Sequence, residues 1–145
     1  MNNNTYDIFF DGASRGNPGP SGAGAIVIHN GKPYLILSKY IGITTNNVAE
    51  YTALKEILLK LEPIIKDKKD IGLIIKCDSE LVSKQLTGVY KIKNERLKYL
   101  AKGILKTLKR YGNWSITHIP REMNQIADSL ATSAIKNALI ALKTK

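Results

Sequence analysis

The chain is short of soft metal ligands, with one cysteine, Cys77, and two histidines, His29 and His118, in 145 residues. A lone thiol cannot close an internal disulfide, and this set cannot build a structural zinc site. A reducing compartment is expected, with Cys77, inside the apolar run Gly72–Cys77, read as a small buried hydrophobe. Long hydrophobic runs are also missing. Met1 to Thr5 are polar, and no stretch suits a signal peptide or a membrane span. The expectation is a soluble, cytoplasmic protein with no membrane partner. Acids are outnumbered, 12 against 22 Lys and Arg, which leaves a net charge of +10. That excess does not select a fold, but it points to a polyanionic partner, most simply nucleic acid. There is no linker, repeat or low-complexity stretch. Composition is globular, 43% hydrophobic and 23% charged. Residues 1–145 are therefore expected to form a single domain.

What is present reads as alternating strands and helices. Tyr6–Phe10 is an apolar–aromatic strand that stops at the turn pair Asp11-Gly12. A Gly-rich connection to Gly22 leads into a strand at Gly24–Ile28. Asn30-Gly31 is a strong hairpin signal, with the return strand at Tyr34–Ile41. The period then becomes helical over Val48–Leu61, ending at Pro63. Ile71–Cys77 is an apolar strand suited to a doubly covered position. A short helix capped by Asp78-Ser79 runs to Leu86, and a longer one spans Glu95–Tyr111. Trp114–Ile119 is the last strand, and Arg121 to about Lys143 the last helix. The order βββαβααβα predicts an α/β fold, a mixed five-stranded sheet with helices on both faces.

Four carboxylates sit at the ends of these elements. Asp11 and Asp78 end the first and fourth strands, and would project from one sheet edge if those strands are parallel neighbours. Glu50 lies in the first turn of its helix, on the stripe of Leu54 and Ile57. Asp128 aligns with Ala131, Ile135, Leu139 and Leu142. An acid on an apolar stripe is costly unless something pairs with it, and a bound cation would serve. Each acid also has an ordinary explanation: a turn at Asp11, a capping box from Asn47 to Glu50, a helix cap at Asp78, a surface position at Asp128. Together, in a basic chain, they point to a site. An all-oxygen set suits Mg²⁺, with Mn²⁺ as a substitute, and two such ions support in-line phosphoryl displacement.

Four blocks of sequence carry a resemblance: Asp11-Gly12-Ala13-Ser14-Arg15-Gly16-Asn17-Pro18-Gly19, Thr45-Asn46-Asn47-Val48-Ala49-Glu50-Tyr51, Cys77-Asp78-Ser79-Glu80-Leu81-Val82, and Pro120 through Asp128. In this order, over nearly the whole chain, they resemble the signature blocks of type 1 ribonuclease H, in its compact archaeal and bacterial-like subtype. The resemblance implies a ribonuclease H-like fold and hydrolysis of the RNA strand of RNA–DNA hybrids by a two-metal mechanism. The products would carry 5′-phosphate and 3′-hydroxyl ends. It implies Asp11, Glu50, Asp78 and Asp128 as catalytic, metal-binding residues. It also implies Gly12, Ser14, Arg15, Gly16, Asn17, Asn46 and Asn47 as substrate contacts at the minor groove and phosphates. The Gly-rich loop is not a nucleotide-binding P-loop, because no Gly-Lys-Ser/Thr follows it.

This sequence departs from the family's pattern in two places. The loop histidine that many relatives carry before the last aspartate has no counterpart, and His118, on a strand, reads as structural more than catalytic. A separate basic protrusion is also absent. Lys98, Lys102 and Lys106, with Lys91, Lys93 and Arg96 just upstream, offer a basic face for DNA-strand phosphates, the alternative being an ordinary solvated face. His29 is expected to be exposed. Double-stranded RNA is carried as a further substrate class, and the protein is expected to be monomeric, with no separate N-terminal hybrid-binding domain. The rivals are a nucleic-acid-binding module without catalysis, and a retroelement polyprotein fragment, which Met1 and the chain's length disfavour.

Overall fold

Buried and open positions alternate along β1 (Thr5–Ser14), which turns Tyr6, Ile8 and Phe10 to one face and Asp7, Phe9 and Asp11 to the other. The structure is a computed structural model describing residues 4–143, so Met1–Asn3 and the last two residues of the expected 1–145 unit lie outside the described residues. β2 (Gly19–His29) and β3 (Lys32–Thr44) continue from β1 as an antiparallel meander. Asn30 and Gly31 turn the hairpin with φ of 53° and 75°, the backbone that favours an Asn-Gly pair. β4 (Gly72–Cys77) then pairs parallel to β1, and β5 (Asn113–His118) parallel to β4, giving the order β3-β2-β1-β4-β5.

Helices α1 (Asn46–Leu61), α2 (Glu80–Leu86), α3 (Glu95–Leu108) and α4 (Gln125–Lys143) complete the expected βββαβααβα order. The main core lies between the sheet and α1, where Tyr51, Leu54, Ile57, Leu58 and Leu61 meet Ile8, Phe10, Leu73 and Ile75. α3 joins it through Leu97, Leu100, Ile104 and Leu108. α4 covers the opposite face with a stripe of small residues, Ala127, Ala131 and Ala134, plus Ile135. Cys77 is fully buried, as its apolar run predicted.

Several boundaries differ from the sequence reading, each for a physical reason. β1 does not stop at Asp11-Gly12; its ladder continues through Asp11↔Gly24, Gly12↔Ala23 and Ser14↔Ser21. The Gly-rich connection therefore shrinks to residues 15–18, because its glycines pair as strand on both sides. α1 is capped by Thr45, whose hydroxyl accepts from Val48 N, not by Asn47. The Arg121–Met123 segment is a single 3₁₀ turn that separates β5 from α4, which starts at Gln125. Along α4 the apolar stripe fades after Ile135, leaving Leu142 exposed. His29 is not free in solvent: it stacks on Tyr6 at 3.9 Å between ring centroids, and its Nδ1 lies 3.1 Å from Thr5 O.

Candidate active site

Two glycines create the site by admitting two helices. Gly12 faces α1, and a Cβ there would stand 2.2 Å from Glu50 N and 2.4 Å from Ala49 C. Gly24, directly opposite Asp11 across the β1–β2 ladder, faces α4, and a Cβ there would stand 2.2 Å from Ala127 O. With neither side chain present, α1 brings Glu50 against β1, and α4 brings Asp128 to Asp11. The pair read as a turn thus divides two tasks: Asp11 supplies an acid on one face of the strand, and Gly12 admits a helix on the other.

Asp78 follows the last residue of β4, beside β1 in the parallel pair, so it reaches the same edge. It does not cap α2, because Ser79 holds that position and accepts from Val82 N at 3.1 Å. Asp11, Glu50 and Asp78 each offer a carboxylate oxygen within 4.8 Å of the others. Asp128 stands outside that trio, half-buried, and near enough for its charge to act on Asp11. The four sequence-predicted acids are thus neighbours.

The acids repel one another in a poorly hydrated place. Asp11 and Glu50 are each only 7% exposed. Burial first, and then the charges of Asp78, Glu50 and Asp128, push Asp11 from 3.8 up to about 8. Glu50 also rises to about 8, through burial and Asp78's charge, against a smaller pull from Arg121 and a hydrogen bond from Ser79. Among the described residues, no salt bridge engages any of the four acids; the ion pairs lie elsewhere, at Lys39–Glu56, Lys76–Asp7, Lys84–Glu80, Lys98–Glu95 and Arg110–Glu62. Three close carboxylates with little internal compensation fit a hard divalent cation held by oxygen donors.

The proposed substrate contacts fall into two places. Residues 15–17 are exposed at the β1–β2 turn, with Gly16 at φ 97°. Asn17 Oδ1 accepts from Asn46 N at 3.1 Å, which ties this turn to the start of α1. Asn46 is exposed and Asn47 half-buried. The Ser14 hydroxyl is occupied internally, donating to Gly16 O and accepting from the Ser21 hydroxyl at 3.0 Å. Lys98 and Lys102 form no hydrogen bond or ion pair with the acids; they line a groove on α3 with Ile92, Leu105, Lys106 and Lys109, and Lys98 pairs with Glu95 at 3.4 Å. His118 Nε2 lies 3.2 Å from Asp78 O, a backbone contact.

Two residues at the site were missed as participants. Arg121 is the cation that acts on Glu50, and Asn124, fully buried, reaches both β1 and Asp78. Both lie inside the sequence block ending at Asp128, but within a helix read from Arg121 an arginine and an asparagine look like ordinary helix-surface residues.

This sheet order, with carboxylates gathered at the edge of the parallel β1–β4 pair, defines a ribonuclease H-like class of protein. Residues 9–134 match the family described as Reverse transcriptase-like. The Ribonuclease HI of Halobacterium salinarum is 41% identical over 138 residues, covering 90% of this chain and 64% of that protein. A bifunctional protein of Mycobacterium tuberculosis is 36% identical over 130 residues, 88% of this chain and 35% of that protein. The chain thus spans less than two thirds of the length of both relatives. LC11-RNase H1, isolated from compost by a metagenomic approach, has a solved structure with TM-score 0.88 at 42% identity, covering 94% of this chain and 99% of that one. A structure of LC11-RNase H1 in complex with RNA/DNA hybrid gives TM-score 0.87 at 40% identity, covering 92% and 99%. The chain belongs to the type 1 ribonuclease H family.

Proposed function

We propose that this chain is a metal-dependent endonuclease that hydrolyses the RNA strand of RNA–DNA hybrids. The observation that carries the proposal is the meeting of Asp11, Glu50 and Asp78 oxygens within 4.8 Å, with no ion pair among the described residues to neutralise them. A protein that only bound polyanions would gain nothing from a cluster of negative charge at its basic surface. The hybrid bound in the LC11-RNase H1 complex supports the choice of substrate.

Asp11, Glu50, Asp78 and Asp128 would hold two Mg²⁺ ions, with Mn²⁺ as a substitute. When bound, the ions supply charge neutralisation at the scissile phosphate and activation of a water, so that the products end in 5′-phosphate and 3′-hydroxyl. The chain's own residues do the rest. Ionised against the bound cations, the acids would hold them at the β1–β4 edge, where the reacting phosphate is drawn in. Arg15, Gly16 and Asn17 at the β1–β2 turn, with Asn46 and Asn47 at the start of α1, approach the RNA strand where its 2′-hydroxyls lie. Ser14 holds that turn in shape. Lys98 and Lys102 of α3 meet DNA-strand phosphates. The domain would act as a monomer, in the cytoplasm.

The test is cleavage of a hybrid labelled on each strand in turn, beside double-stranded RNA and double-stranded DNA. The proposal expects cuts confined to RNA, with 5′-phosphate on the new ends. Cleavage of double-stranded RNA as well would extend the substrate class. Tight hybrid binding with no cleavage under Mg²⁺ or Mn²⁺ would leave a binding module in its place.

A further inference from the structure

Asn124 is 1% exposed, one of the few polar side chains buried in the described residues. Its place, directly before α4, suits a helix cap, in which the side-chain oxygen accepts from the first turn. It does not serve as one, because Oδ1 is buried without any hydrogen-bond partner. The amide is held by its donor end instead. Nδ2 donates to Phe10 O at 2.9 Å, the peptide directly before Asp11, and lies 3.5 Å from Asp78 Oδ2. The backbone carbonyl of Asn124 accepts from Asp128 N at 3.1 Å. One residue therefore touches the peptide that carries Asp11, the carboxylate of Asp78 and the peptide of Asp128. These belong to β1, to the end of β4 and to α4, so one amide ties three elements together where the acids meet.

We propose that Asn124 is a positioning residue that sets the spacing of Asp11, Asp78 and Asp128, and through it the affinity of the site for divalent cations. The proposal rests on the nuclease reading. Its acceptor stays unpaired while its donor reaches Phe10 O and Asp78 Oδ2, an exception among buried polar groups that the positioning role explains. Groups that orient ligands without binding the ion commonly alter affinity by about tenfold or more when removed.

The test is calorimetric titration of the full, substrate-free chain with Mn²⁺, comparing wild type, Asn124→Leu, Asn124→Ser and Ile135→Ala. Leucine keeps the branched shape and heavy-atom count and removes the donor. Serine keeps a donor one bond closer to the backbone, unable to span both oxygens, and serves if the leucine variant fails to fold. Ile135→Ala loosens α4 away from the acids and controls for loss of stability. Both Asn124 variants should bind Mn²⁺ about tenfold more weakly, while Ile135→Ala binds as wild type at a lowered Tm. Hybrid cleavage by the Asn124 variants should recover as the metal concentration is raised, through kcat at unchanged KM. Equal Mn²⁺ affinity in wild type and the Asn124 variants, or the same weakening in Ile135→Ala, overturns the positioning role alone. A wild type that binds no Mn²⁺ and cuts no hybrid overturns the nuclease reading, and this proposal with it.

Discussion

Replacing Gly12 by alanine should separate folding from catalysis. The added Cβ would lie 2.2 Å from Glu50 N, 2.4 Å from Ala49 C and 2.8 Å from Ala49 Cβ. Two of the three are backbone atoms of α1, so no side-chain rotation relieves the clash. To restore van der Waals contact, α1 must retreat from β1 by roughly 1 Å, and Glu50 retreats with it. Overpacking of this kind costs about 1–3 kcal/mol, a Tm loss of roughly 3–10 °C for a domain of this size. The catalytic loss should be larger, because a misplacement of about 1 Å at a reacting centre can cost about 100-fold in rate. The assay is hybrid cleavage at saturating substrate beside thermal unfolding followed by circular dichroism. Gly103→Ala, inside α3 with nothing within 4 Å of the added carbon, is the control. It should stabilise by about 0.5–1 kcal/mol through helix propensity, with full activity. If Gly12→Ala kept wild-type kcat, Glu50 would not depend on the close approach of α1, and the reasoning would fail.

Further outcomes follow from the charges. In EDTA, Asp11 and Glu50 are held near a pKa of about 8, above their unfolded values, so the folded state keeps protons that the unfolded state gives up. Stability of the metal-free protein is therefore fullest below about pH 4 as far as these acids are concerned, and falls as pH rises to about 8. Asp11→Asn should flatten that fall and raise Tm at pH 8.5 by several degrees, on the order of 1–3 kcal/mol, while abolishing cleavage; a lower Tm would mean the acids do not repel as described. Mg²⁺ should raise the wild-type Tm at pH 8.5 and leave the Asp11→Asn protein nearly unmoved, as read by the same melts. Charge reversal at Lys98 and Lys102 together should weaken hybrid binding and flatten the plot of log affinity against log salt; an unchanged slope would make that face of α3 plain solvated surface.

The architecture was legible because its signals are local. The apolar–aromatic run Tyr6–Phe10, the Asn30-Gly31 turn and the helical stripe from Leu54 to Leu61 each report on their own segment. The acids were legible by misfit, since Glu50 sits on a stripe that should be apolar. Less was legible where one residue serves two partners. Asp11-Gly12 has the composition of a turn, and only the pairing with β2 and the packing of α1 show why an acid and a glycine adjoin within a strand. Gly24 admits α4 from the neighbouring strand, a contact across more than a hundred residues that no periodicity records. Asn124 carries no mark of its role in sequence, where it falls inside the helix read from Arg121. Its actual partners come from β1 and from the end of β4. His29 looked exposed beside a turn, yet the register that pairs it with Tyr6 brings the two rings together.

The proposed nuclease activity requires the acids to act as a metal-dependent catalytic set. The most direct measurement is hybrid cleavage by wild type and Asp78→Asn across an Mg²⁺ titration that starts in EDTA. The expected result is no cleavage in EDTA, RNA-strand cleavage that saturates with Mg²⁺ in wild type, and none at any Mg²⁺ concentration in the variant. Cleavage that persists in EDTA, or an Asp78→Asn protein that cuts as wild type does, would contradict it.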